Sequence, residues 1–268
     1  MKHRLTTTLL IISLFIVAQL IGLHIISHYI DIEQSATTQK TVVNQEQYFV
    51  EPPQVQNESF SFIFIIVAVL IGTGLVLILA KYKLVKIWKW WFMASIVVAM
   101  SIALYPYLNN LLLTLLVTLV LTYAKFKSVI MHNITELFVY GGIAALFVPI
   151  LNITSAIVLV LLIAVYDAYA VYKSKHMVSV ATFQSEANLF AGLFIGKRGK
   201  ITTKPSKKTS TAAILGGGDI AFSLLFAGTV LKYTASWPLA ILIIFGSTIG
   251  LAALLFASKK AKFYPAMP

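Results

Sequence analysis

The sequence predicts an all-α polytopic membrane protein. Three observations carry that prediction: an apolar fraction far above that of a soluble domain, apolar runs recurring at the length of a membrane span, and basic residues gathered at alternate ends of those runs. Apolar residues make up 59% of the 268 positions and charged residues 11%, whereas about a quarter of a soluble domain is charged. Such a chain has too little polar surface to cover itself in water. A helix needs roughly 20 apolar residues to cross the hydrocarbon core, and runs of that order lie near 5–30, 60–80, 87–107, 109–124, 129–150, 153–172, 211–232 and 237–257.

The first run follows Met1-Lys2-His3-Arg4. It is longer than the apolar region of a signal peptide and no small-residue cleavage site follows it, so it reads as an uncleaved helix. An acidic loop with Asp31, Glu33, Glu46, Glu51 and Glu58 separates it from the second run. Trp88, Trp90 and Trp91, interleaved with Lys86 and Lys89 where the third run begins, read as an interfacial aromatic belt rather than a stacking platform for bases. Tyr105-Pro106-Tyr107 and then Asn109-Asn110 mark a tight turn between the third and fourth runs.

The connection at 174–210 is long for a loop in a compact unit. Its first half, Met177 to Ile195, is mostly apolar, with Gln184, Glu186 and Asn188 interspersed; it is expected to lie on the membrane surface or in a groove. Its second half, Gly196 to Ser210, carries Lys197, Arg198, Lys200, Lys204, Lys207 and Lys208 and reads as a flexible basic linker that anionic headgroups attract. The chain thus divides into five scaffold spans (1–152), a unit of spans six and seven with their connection (153–235), and an eighth span with its tail (236–268).

Lys and Arg accumulate on the cytoplasmic side of membrane proteins. With the N-terminus inside, all 21 basic residues except Lys40 and Lys232 fall on that side. The net charge of +12 is therefore explained by orientation, and a nucleic-acid partner, which needs basic residues on one soluble face, is not expected. Cysteine is absent, which excludes disulfides and thiolate metal sites.

Of the nine acidic residues, Glu136, Asp167 and Asp219 fall within apolar runs. An ionisable group at such depth is unfavourable by at least about 2.5 kcal/mol and is a functional candidate by default. Asp167 lies six residues before Lys173 on a helix running inward, and Asp219 about eight residues into a helix running outward, so both sit roughly 9–13 Å below one boundary at the helical rise. Two carboxyls close together in a low dielectric share a proton. One can then take a proton from an attacking water while the other hydrogen-bonds the peptide carbonyl. Gly216-Gly217-Gly218 directly precedes Asp219; each glycine weakens a helix by about 1 kcal/mol relative to Ala, and a loosened backbone lets a substrate chain come close.

Tyr166-Asp167 and Gly216-Gly217-Gly218-Asp219 resemble the YD and GxGD motifs of the presenilin and signal peptide peptidase family. Tyr264-Pro265-Ala266-Met267-Pro268 is similar to its third motif, PAL, with Met in place of Leu, a volume-conserving exchange. The resemblance implies an intramembrane aspartyl protease in which Asp167 and Asp219 form the catalytic pair. It implies that Tyr166, Gly216, Gly217, Gly218, Pro265, Ala266 and Met267 form or support the substrate cleft, and that no metal or cofactor is needed. Substrates would be transmembrane-helix proteins in the lipid bilayer, with accessory subunits or a homo-oligomer left open. The family has nine spans, PAL opening the ninth, so a ninth helix is expected after Pro268. An inside N-terminus matches presenilin rather than signal peptide peptidase, and the lack of cysteine with small loops points to a microbial, archaeal cell membrane.

The remaining polar residues receive plainer readings. His132, Asn133, Thr135 and Glu136 are expected in the interfacial first turns of the fifth span. Tyr166, Tyr169 and Tyr172 flank Asp167 and are read as packing or interface residues. His24 and His28 have i,i+4 spacing but no evident third ligand, so metal binding is not expected. There is no HExxH and no serine in a nucleophile motif with a later-span His, which removes the zinc and serine classes. The rival function is a proton- or cation-coupled transporter or channel. Its expected inverted repeat is missing, since the glycine-rich acidic break occurs once.

Overall fold

The computed structural model describes residues 5–44, 50, 52–53, 60–173, 180, 183–184, 187, 189–196 and 213–257. Along them run α1 (Leu5–Tyr29), a short α2 (Ile32–Thr38), α3 (Ser61–Lys81), α4 (Val85–Leu108), α5 (Leu111–Lys125) and α6 (Val129–Phe147), which a 3-10 turn (Val148–Ile150) extends. Then come α7 (Ile153–Tyr172), strands β1 (Gly192–Ile195) and β2 (Ala213–Gly216), α8 (Gly217–Thr234) and α9 (Trp237–Ala257). Each of the eight apolar runs has a helix. Six are long and apolar enough to span a membrane: Leu5–Tyr29, Ser61–Lys81, Val85–Leu108, Val129–Ile150, Ile153–Val171 and Trp237–Ala257. The other two, α5 with 15 residues and α8 with 18, fall short of the same measure.

α6 is the hub. It packs on α1, α4, α5 and α8, while α7 packs on α8 and α3. Small residues bring the backbones together, the usual means of helix association where lipid removes the hydrophobic drive. A Cβ at Gly142 of α6 would lie 1.9 Å from the Ala99 carbonyl oxygen of α4, and one at Gly22 of α1 would lie 2.2 Å from Leu224 of α8. α5 follows the same logic in reverse of a soluble helix. Its buried face is Thr114, Thr118 and Thr122 at four-residue spacing, with Thr118 against Ser101 at 3.1 Å, while Leu112, Leu116, Leu119 and Val120 face outward.

The tight turn between α4 and α5 falls on the asparagines rather than on the proline. Asn109 takes the left-handed conformation (φ 48°), and the Asn110 side chain caps α5 by accepting from the Leu113 backbone N–H. Pro106 sits inside the last turns of α4. Having no N–H, it leaves the carbonyl four residues back, that of Ile102, without its helical donor. The buried Tyr29 hydroxyl of α1 donates to that carbonyl, so the proline creates the acceptor that locks α1 onto α4.

Lys232, placed outside by the charge pattern, is fully buried. Its ammonium donates to Thr41 Oγ1 (2.7 Å) and to the carbonyls of Val148 (3.1 Å), Pro149 (3.1 Å) and Leu151 (2.6 Å). These are the open carbonyls at the end of α6 and its 3-10 turn, where a cation is favoured.

Trp90 and Trp91 face outward, as a belt requires, but Trp88 is buried. Its ring packs on Phe92 and on Phe183 of the long connection, alongside Ala187 and Leu189. The described part of the apolar half of that connection therefore fills a groove in the protein. The charge-periodic sequence could not separate Trp88 from its neighbours because its partner lies 95 positions away.

Tyr29→Phe is expected to destabilise the protein by about 1–3 kcal/mol, the penalty of a buried carbonyl left unpaired. Adding Pro106→Ala, which restores a backbone donor, should recover much of the loss. Thermal unfolding of the single and double variants in one detergent measures both.

Candidate active site

The seventh apolar run does not enter the bundle as a helix. Ala213–Gly216 is extended and pairs antiparallel with β1, Gly216 opposite Gly192, and α8 begins only at Gly217. Asp219 is therefore the third residue of its helix rather than about the eighth, and it owes its place in the bundle to a strand. The glycine run sits at the change of structure: Gly216 closes the strand, while Gly217 and Gly218 open the helix, where each is a poor helix former. Gly216 is the extended N-cap, and its backbone N–H donates to the Asp219 carboxylate. An acid three residues into a helix reaching back to the N-cap N–H is one half of a capping box.

The strand entry would leave peptide groups unpaired inside the bundle were it not for α6. The Asn133 amide treats β1 as a neighbouring strand would, accepting from Phe194 N–H (2.9 Å) and donating to the Phe194 carbonyl (2.7 Å). His132 Nε2 lies 2.9 Å from the Gly192 carbonyl, and Gly217 N–H donates to Ala191 O at 3.1 Å. Gly192 needs to be glycine, since its φ is +147° and a Cβ there would lie 2.1 Å from the Leu215 carbonyl.

Asp167 projects from α7, the helix packed beside α8, and is half-buried. It is the charged group that acts electrostatically on Asp219. α7 and α8 run in opposite senses, so the late Asp167 and the early Asp219 meet near one end of the bundle. Tyr166 is half-buried next to Asp167, whereas Tyr169 is exposed with Lys173 5.9 Å from its ring. Of the three glycines, Gly216 lies against Asp219 and Gly217 against Tyr140, whose hydroxyl would be 2.5 Å from a Cβ. Gly218 is exposed and meets only Phe222, at 3.8 Å. Pro265, Ala266 and Met267 lie outside the described residues.

Glu136 departs from the interfacial role the sequence indicated. It is buried, ion-paired to the buried Lys125 and hydrogen-bonded by the Tyr140 hydroxyl. His132 and Thr135 are buried too. The sequence could not show that α5 ends beside them, nor that β1 covers them. The available signal is an acid at position 136 with a lysine just before the preceding turn, at position 125. On the opposite end, the His24 and His28 rings lie 4.9 Å apart with Tyr107 5.2 Å from His28. Among the described residues no group of three His, Asp or Glu could hold a metal.

Long apolar helices make this an integral membrane protein, and two of its packed helices, α7 and α8, each carry an aspartate. The family model described as signal-peptide peptidase, presenilin aspartyl protease matches residues 12–268, and the chain belongs to that family of intramembrane aspartyl proteases. Its fold is similar to a solved structure described as a presenilin family intramembrane aspartate protease, at 18% identity over 97% of this chain and 93% of that one, with a TM-score of 0.60. No curated protein sequence matches the chain.

Asn133→Ala removes both side-chain bonds to Phe194, each worth about 1 kcal/mol or more where the backbone group stays buried. Amide hydrogen exchange across 192–195 is expected to quicken by about tenfold or more, while exchange in α1 stays as in the wild type.

Proposed function

We propose that the chain hydrolyses peptide bonds of transmembrane-helix substrates, with Asp167 and Asp219 as the catalytic pair. The observation that carries this reading is that the two acids sit on packed helices, Asp167 on α7 and Asp219 on α8, the second just after the point where its helix is broken. Two carboxyls so placed hold one proton between them. The ionised member draws a proton from water as its oxygen attacks the scissile carbonyl. The protonated member donates a hydrogen bond to the carbonyl oxygen and then helps protonate the departing nitrogen. No acyl-enzyme is formed.

The surroundings support this role. Exposed Gly218 offers backbone without a side chain beside Asp219, where an unwound substrate can approach. Tyr166 and Gly216 border the pair, and Pro265, Ala266 and Met267 are proposed to complete the cleft. Because Lys81, Lys83, Lys86, Lys89 and Lys127 flank the helix ends on one side of the bundle, we propose that the reaction lies near the cytoplasmic face of a microbial cell membrane, with the N-terminus inside.

Detergent-purified protein is expected to cleave a single-span membrane substrate. Asp167→Ala and Asp219→Ala should each abolish cleavage, by more than about 10³-fold, while leaving the protein folded. The pH dependence of the wild type should be bell-shaped and report the pair rather than either acid. Full activity in either variant would overturn the assignment. A folded, inactive wild type that instead carries protons or cations across liposomes would make the acids an ion pathway.

A further inference from the structure

Four groups on three helices form a buried line that the proteolytic chemistry does not itself require. Lys125 closes α5 and is fully buried; its ammonium donates to Glu136 Oε1. Glu136, in the third turn of α6, is 1% exposed, and its other oxygen accepts from the Tyr140 hydroxyl one turn further on. Tyr140 is 3% exposed and ends against Gly217 of α8. Its electrostatic partners include both Glu136 and Asp219. The line therefore runs from the end of α5 to the residue two before Asp219.

The third glycine of the run acquires a reason. The GxGD pattern leaves its second position open, and in this chain that position is Gly217. A Cβ there would lie 2.5 Å from the Tyr140 hydroxyl and 2.8 Å from Cε1, closer than side chains tolerate. The phenol thus occupies the volume a side chain would take, and the first turn of α8 rests on it. A buried ion pair is at best weakly stabilising against an apolar replacement of the same shape, so stability alone does not account for the Lys125–Glu136 pair.

We propose that Tyr140, clamped by the Glu136–Lys125 pair, is a positioning residue that sets the first turn of α8 and so the placement of Asp219 against Asp167. This rests on the proteolytic reading and extends it to a residue outside the acid pair. The aspartate sits in the first turn of a helix with no regular turn before it, so its angle is not fixed by its own helix. β2 holds the backbone on one side, and Tyr140 supplies the stop on the other. The charged or titratable groups around this stop are Glu136 on α6, Lys125 on α5, Asp167 on α7 and Asp219 itself.

The test is Tyr140→Phe in the full-length protein, which keeps the ring against Gly217 and removes the bond to Glu136. Cleavage of the single-span substrate is expected to show kcat reduced about 10- to 100-fold with KM unchanged, and the pH profile of kcat displaced from that of the wild type. Because removing one member of the ion pair can unfold the protein, the companion variant is the double Lys125→Met/Glu136→Gln. It carries no unpaired charge, leaves an acceptor for Tyr140, and is expected to fall between wild type and Tyr140→Phe. Amide exchange across 214–219 should quicken in Tyr140→Phe. Wild-type kcat and an unchanged pH profile in folded Tyr140→Phe would overturn the proposal. Should the wild type itself fail to cleave, the proteolytic reading falls separately. Exchange then decides the positioning, and unchanged protection across 214–219 in Tyr140→Phe would refute it.

Discussion

A helix interrupted inside a membrane leaves peptide groups with no water to bond, and the architecture around Gly216 follows from satisfying them. Strand β2 gives its backbone to β1, and β1 in turn gives its other edge to Asn133 and His132 of α6. The Gly216 N–H goes to Asp219 and the Gly217 N–H to Ala191. A continuous helix would have needed none of these partners. Residues 191–195 lie across the interruption and supply those partners.

The same constraint explains why α6 is the hub. It carries His132 and Asn133, which bond β1, Glu136, which pairs with Lys125, and Tyr140, which meets Gly217, and its Gly141 and Gly142 admit α1 and α4 closely. One helix thus serves as both partner for the irregular backbone and packing core. α8 is fixed at its two ends by different means. Its start rests on β2 and Tyr140, and its end is tied by the buried Lys232 to the carbonyls closing α6. The acids of α7 and α8 are held relative to one another by elements that are themselves anchored to α6.

Polar pairing also replaces apolar packing elsewhere in the bundle. Where lipid is as apolar as leucine, burying leucine between helices gains little, and α5 accordingly turns its threonines inward and its leucines out. Tyr29 and Pro106 make the point at a single contact, because a residue that breaks a helical bond becomes useful once another helix supplies the missing donor.

What the sequence determined by itself was the part governed by local composition. The length of the apolar runs, the alternation of basic residues and the glycines before Asp219 are readable one segment at a time, and they yield the apolar helices of the described residues, their order and the two aspartates that lie within them. Neighbouring residues could not reveal the partners. Trp88 looked like its exposed companions until Phe183 was set against it. Glu136 looked interfacial until Lys125 and Tyr140 enclosed it, and the segment before Gly217 looked like helix until β1 paired with it. Hydropathy records how far a residue prefers to be from water, and lipid and protein interior satisfy that preference equally. Only tertiary structure decides which of the two a residue meets, because the deciding contact comes from a helix or strand elsewhere in the chain.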